Sequence, residues 1–78
     1  MEATARTKPK PGTQHDRILF YLQFGMRLTV GIALTELRIY ALSQRVGELR
    51  EMGWPIMDEW VTTQSGARIK QYYLGAAE

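Results

Sequence analysis

Apolar residues return at helical spacing in three successive blocks of this chain and at alternate spacing in a fourth. Ile18, Leu19 and Leu22 share one face of a helix expected over residues 14–24, which stops at Gly25. Thr13 stands at its N-cap with Asp16 three residues on, a weak capping box that places an acid at the positive end of the helix. Phe20, Tyr21 and Phe24 spread apolar surface further round this helix than a small domain covers, so one aromatic is expected to stay partly exposed. Met26, Arg27 and Leu28 read as a short extended link able to pair as an edge strand. Thr29 then caps a second helix lined by Val30, Ala33, Leu34 and Leu37. A polar break at Arg38 precedes a third helix over residues 40–52, whose Leu42, Val46 and Leu49 form the inward stripe and which Gly53 ends as a left-handed cap. Pro55 forbids helical continuation. Two strands follow, residues 56–63 and 68–74, around the turn Gln64, Ser65, Gly66, Ala67. Alternation puts Ile56, Asp58, Trp60 and Thr62 on one face, with Tyr72 and Leu74 as inward partners across the hairpin. Asp58 suits that face poorly, so a bulge or a late strand start is expected near it.

The two helices within residues 28–53 are too close in sequence to lie parallel and must cross, as in a helix-turn-helix whose second helix enters a DNA major groove. With a helix before and a hairpin after, the fold class is α+β: a winged helix-turn-helix of three helices plus a C-terminal β-hairpin wing. Residues 1–12, MEATARTKPKPG, have no large apolar side chain after Met1 and are expected to be a disordered basic tail. It reads either as a solubilising tail or as an arm reaching phosphates or a minor groove. Residues 13–78 form the domain.

Size and charge narrow the function. A domain of 78 residues buries only about 60% of its unfolded surface, which leaves no room for an enclosed catalytic cleft. No paired carboxylates, nucleophile with base, or glycine-rich phosphate loop stands at a catalytic spacing, so the chain reads as a non-enzyme without cofactor. His15, beside Asp16 and Arg17, reads as a solvated surface histidine. With one histidine and no cysteine, no structural zinc site is expected. The longest apolar cluster, residues 18–22, is too short to span a bilayer, and the N-terminus lacks a secretory apolar core, so the expected location is cytoplasmic without membrane contact. Arg6, Lys8 and Lys10 against Glu2 give residues 1–12 the whole net charge of +2, and residues 13–78 balance at zero. A domain that binds duplex DNA through its own surface usually shows a positive excess, so this balance counts against strong nonspecific binding.

The segments HDRILFYL at 15–22, LTELRIYALSQRVGELREMGWPI at 34–56 and EWVT at 59–62 resemble a family of small winged helix-turn-helix proteins frequent in bacteriophages and prophages. Leu37-Arg38-Ile39-Tyr40 followed by Arg45-Val46-Gly47-Glu48-Leu49-Arg50 is the most specific part, joining a tight junction to a regular stripe. The resemblance spans residues 13–74 and implies DNA binding by analogy of fold. The chain departs from the older helix-turn-helix pattern in having Arg38 and Ile39 where a glycine turns the chain.

Advancing about 100° per residue from the stripe, the outward face of the third helix carries Tyr40, Gln44, Gly47, Glu48 and Glu51, flanked by Ala41, Ser43 and Arg45. Gln44 suits a bidentate pair with adenine, Arg45 a guanine or phosphate, and Ser43 and Tyr40 donation to phosphate. Arg38 at the junction, and Arg68 and Lys70 in the wing, complete the candidate DNA-binding set. Glu48 and Glu51 would be repelled by phosphate, so docking must be by the N-terminal end. Local alternatives stand beside each role: Arg45 pairing with Glu48 or Glu51, Tyr40 packing at the junction, Arg50 offsetting the helix C-terminus, and Asp58 and Glu59 neutralising Arg68 and Lys70. Two functions compete. One is a regulator or excisionase-like factor on double-stranded DNA, acting as a homodimer or cooperative array because one module buries too little surface for high specificity. The other is an adaptor that docks on a protein partner, favoured by the neutral domain and the surplus aromatics Phe20, Tyr21, Phe24 and Trp54.

Overall fold

The structure is a computed structural model that describes residues 7–75. Helix α1, Gln14–Gln23, starts where Thr13 Oγ1 accepts from Asp16 N, and α2, Val30–Ile32, where Thr29 Oγ1 accepts from Ile32 N. The helix does not end at Ile32 but widens to π geometry over Ala33–Leu37. Helix α3 is Leu42–Glu51, and the wing pairs β1, Ile56–Thr62, with β2, Arg68–Leu74. The architecture is thus three helices followed by a two-stranded antiparallel hairpin, a winged helix-turn-helix. The expected link at 26–28 pairs as well: Leu28 and Tyr72 exchange backbone bonds of 2.9 and 2.8 Å, adding a one-residue bridge beyond β2.

One apolar core joins every element. Ile18, Leu19 and Leu22 from α1 meet Leu42, Val46 and Leu49 from α3, with Leu28, Ala33, Ile39, Trp54, Ile56 and Tyr72 closing the sides. The α1 and α3 stripes lie where helical spacing puts them. The second helix differs: Val30 and Leu34, expected inside, are exposed, and Ile32 packs against the core instead. The difference begins at Val30 and Ile32, ahead of the π segment, whereas Ala33 and Leu37 lie against the core as the spacing expects.

The junction explains the missing glycine. Arg38 itself takes the left-handed conformation, φ 58° and ψ 41°, and both Arg38 N–H and Ile39 N–H return to Ala33 O. This is a Schellman-type ending in which the residue after the turn, Ile39, is buried in the core. That burial, together with the doubled bond to Ala33, fixes Arg38 in a conformation L-residues seldom adopt.

Two further boundaries shift. α3 begins at Leu42, so Tyr40 and Ala41 precede it, and β1 ends at Thr62. No bulge occurs at Asp58: the register runs unbroken from Ile56 opposite Leu74 to Thr62 opposite Arg68. The carboxylate is accommodated because Arg50 reaches across from α3, donating Nε to Ile56 O and Nη2 to Asp58 Oδ2, each at 2.8 Å. Arg50 therefore ties α3 to the wing rather than serving the end of its own helix. Gly53, φ 98°, ends α3 in the left-handed conformation that favours glycine.

Of the expected tail, residues 1–6 lie outside the described residues. From Thr7 the chain is attached to the body. Thr7 N donates to Met52 O at 2.9 Å, and Thr7 O accepts from Trp54 Nε1 at 2.9 Å. An indole N–H buried beside the core needs an acceptor, and the backbone of the basic segment supplies it.

Candidate nucleic-acid interface

The junction and the first turn of α3 expose a run of polar groups. Arg38 is exposed in the turn, Tyr40 is 78% exposed rather than packed at the junction, and Ser43 and Gln44 are exposed on the first turn of the helix. Ala41, at the N-cap, makes no side-chain capping bond.

Arg45 is drawn away from this set. Its Nη1 lies 3.0 Å from Glu48 Oε1, and its Nε is buried without a hydrogen-bond partner among the described residues. Glu48 does not stand clear on the outward face either. The same Oε1 accepts from His15 Nε2 at 2.6 Å, so His15, expected to be solvated, braces α1 against α3. The hydrogen bond from His15 is the main cause holding the Glu48 carboxyl below its ordinary value of 4.5. Desolvation opposes it, and the charges of Arg45 and His15 and a bond from Gln44 reinforce it. Glu51 remains exposed at the far end of the helix.

In the wing, the acids expected to neutralise Arg68 and Lys70 are engaged elsewhere. Asp58 pairs with Arg50, and Glu59 pairs with Arg27 Nη1 at 2.6 Å, while Arg27 also lies 4.2 Å over the Tyr73 ring. Among the described residues no carboxylate pairs with Arg68 or Lys70. Both lie against Trp60 instead, with the Arg68 guanidinium carbon 5.2 Å and Lys70 Nζ 5.0 Å from the ring centroid. The register makes this contact: Lys70 is directly opposite Trp60, and Arg68 is one same-face position further along.

Trp60 was placed by alternation on the inward face with Ile56, yet it is 56% exposed. The wing projects past the body, so positions beyond Asp58 have no core to face. The signal available in the sequence was the spacing itself, which sets Trp60 on the same face as both cations.

Phe20 on α1 and Phe24 at its C-cap are both exposed, packed edge to face with centroids 4.8 Å apart. Beside them Arg17, Phe20, Tyr21 and Leu37 line an open apolar cleft of about 440 Å³. Among the described residues no helix is long and apolar enough to cross a membrane.

Residues 13–77 match a family model described as a winged helix-turn-helix domain. No curated protein and no solved structure matches the chain.

Proposed function

From the premise that this chain belongs to the winged helix-turn-helix domain family, we propose that it is a DNA-binding protein, a phage-type transcriptional regulator or an excisionase-like factor, that reads the major groove with α3. Gln44 and Ser43 project from the first turn toward base edges and phosphate, with Tyr40 and Arg38 on the preceding turn as backbone contacts. Arg45 joins them by exchanging Glu48 for a phosphate or guanine. Arg68 and Lys70 hold the flanking phosphates. The observation that carries this reading is the wing's charge: with Asp58 and Glu59 engaged by Arg50 and Arg27, Arg68 and Lys70 stand without a carboxylate among the described residues, in a domain whose net charge is zero. A single module of this size buries too little surface for high specificity, so two copies or a cooperative array act on one site.

The test is fluorescence anisotropy of the full chain with a mixed-sequence duplex across a salt series. Log affinity is expected to fall against log salt with a slope of about −0.9 per phosphate contacted, and Arg68→Ala and Lys70→Ala should each flatten it by about one unit. Absence of duplex binding at low salt would overturn the reading.

The exposed Phe20 and Phe24 and the cleft beside them favour a second reading, an adaptor that docks on a protein through α1. That activity would survive Arg68→Glu and fail in Phe20→Ser. The DNA reading requires the reverse.

A further inference from the structure

Phosphate contacts use the cations of the wing but leave its indole unexplained. A tryptophan carries some 150–250 Å² of surface, and leaving most of it in water forgoes about 25 cal/mol for each Å². Trp60 nevertheless stays exposed on the same face as the buried Ile56. It lies two residues inside the end of β1, before the turn at residues 63–67, so its ring rests on the sheet face rather than at the hairpin tip. Opposite the ring, the start of α2 forms the other side of an open cleft of about 260 Å³, with Val30 and Gly31 on that side and Arg68 and Lys70 beside the indole. Gly31 is not required by packing: a Cβ there would meet only Thr29 Oγ1, at 3.9 Å.

We propose that Trp60 is a stacking platform for an unpaired nucleobase, with Arg68 and Lys70 holding the phosphates on either side, so that the wing binds single-stranded DNA. The inference rests on the reading of this chain as a DNA-binding protein and extends it to a second form of DNA. Three features of the cluster match that ligand. A flat aromatic ring on a sheet face accepts the π-face of any base, whereas the bases of an intact duplex present only their edges. A wedge driven between base pairs would have to stand at the tip of the hairpin, which Trp60 does not. The two cations lie over the ring from successive same-face positions of one strand, so a base that stacks there takes their place on the ring while they swing to the phosphates that flank it.

The chain contains its own control. Its two tryptophans differ in exposure, Trp54 at 7% and Trp60 at 56%, so a quencher that stacks from solvent reaches Trp60 first. Tryptophan emission of the full chain would be followed during titration with oligothymidylate of about 12 nucleotides, within the usual 4–16 per module, and separately with a hairpin duplex. Thymidylate is expected to quench saturably. Trp60→Ala should weaken single-strand binding about 5- to 100-fold, with duplex binding changed less than about 3-fold, and Trp60→Phe should keep most of the single-strand affinity. Circular dichroism confirms that each variant is folded. Single-strand binding without quenching, equal losses on both ligands, or duplex binding with none to the single strand would each overturn the platform, and the duplex reading stands wherever the duplex is still bound. Failure to bind either ligand would overturn both.

Discussion

At the scale of single residues, the most informative position is Arg38. A left-handed arginine costs about 1–2 kcal/mol relative to an ordinary conformation, and it persists because Ala33 O holds two amides and Ile39 is anchored in the core. Arg38→Gly relieves that strain at the expense of some backbone entropy in the unfolded chain, so a net gain of about 0.5–1 kcal/mol is expected in urea denaturation. Arg38→Ala keeps the strain and should leave stability within about 0.5 kcal/mol of the parent. If Arg38 holds a phosphate, both variants lose DNA affinity alike, since both remove the guanidinium. A glycine variant no more stable than the alanine variant would show that the left-handed turn carries no strain.

At the scale of elements, what was legible in the sequence was what depends on near neighbours. Thr13, Thr29 and Gly53 mark helix ends through bonds spanning a few residues, and the stripes of α1 and α3 follow from one period. The hairpin was legible for the same reason, but its inward face was legible only as far as Ile56 and Tyr72, and the link at 26–28 only as able to pair, not as meeting Tyr72. What was not legible depends on partners far along the chain. His15 finds Glu48 33 residues away and Arg27 finds Glu59 32 residues away, and no local pattern encodes either. The same limit hid the candidate site's charge balance, because whether Arg68 and Lys70 are neutralised is decided by where Arg50 and Arg27 reach. In the second helix part of the stripe held: Ala33 and Leu37 pack against the core, while Val30 and Leu34 are exposed. Within α3 one residue departs from helical preference. Gly47 lies mid-helix, and a Cβ there would meet nothing within 4 Å. Gly47→Ala should therefore stabilise the fold by about 0.5–1 kcal/mol, raising Tm by several degrees in a domain this small. Since Gly47 stands on the outward face of the helix proposed to enter the groove, the same methyl should weaken duplex binding. A variant stabilised with duplex affinity unchanged would mean that this part of α3 stays clear of DNA.

For the whole molecule, the acids determine how a neutral domain could still bind a polyanion. Asp58 and Glu59 hold Arg50 and Arg27 against the wing, and Glu48 gathers His15 and Arg45 between α1 and α3. Glu48 thus has two opposed effects, bracing the helices while occupying a cation that the DNA reading would use. Its carboxyl is held below 4.5, chiefly by His15. A carboxylate with a depressed folded value contributes stability above its unfolded value and loses that contribution as pH falls through the folded one. Wild type should therefore be more stable than Glu48→Gln at neutral pH, and the difference in Tm should close as pH is lowered from about 4.5 through the depressed value. A difference that stayed constant across that window would mean that the ionised carboxylate does not brace α1 on α3. Duplex affinity at neutral pH should move the other way. Glu48→Gln removes a negative charge from α3 and releases Arg45, so the less stable protein should bind the more tightly, with a steeper dependence on salt. Weaker binding by Glu48→Gln would instead show that the His15–Glu48–Arg45 cluster positions the recognition helix and that its negative charge is secondary.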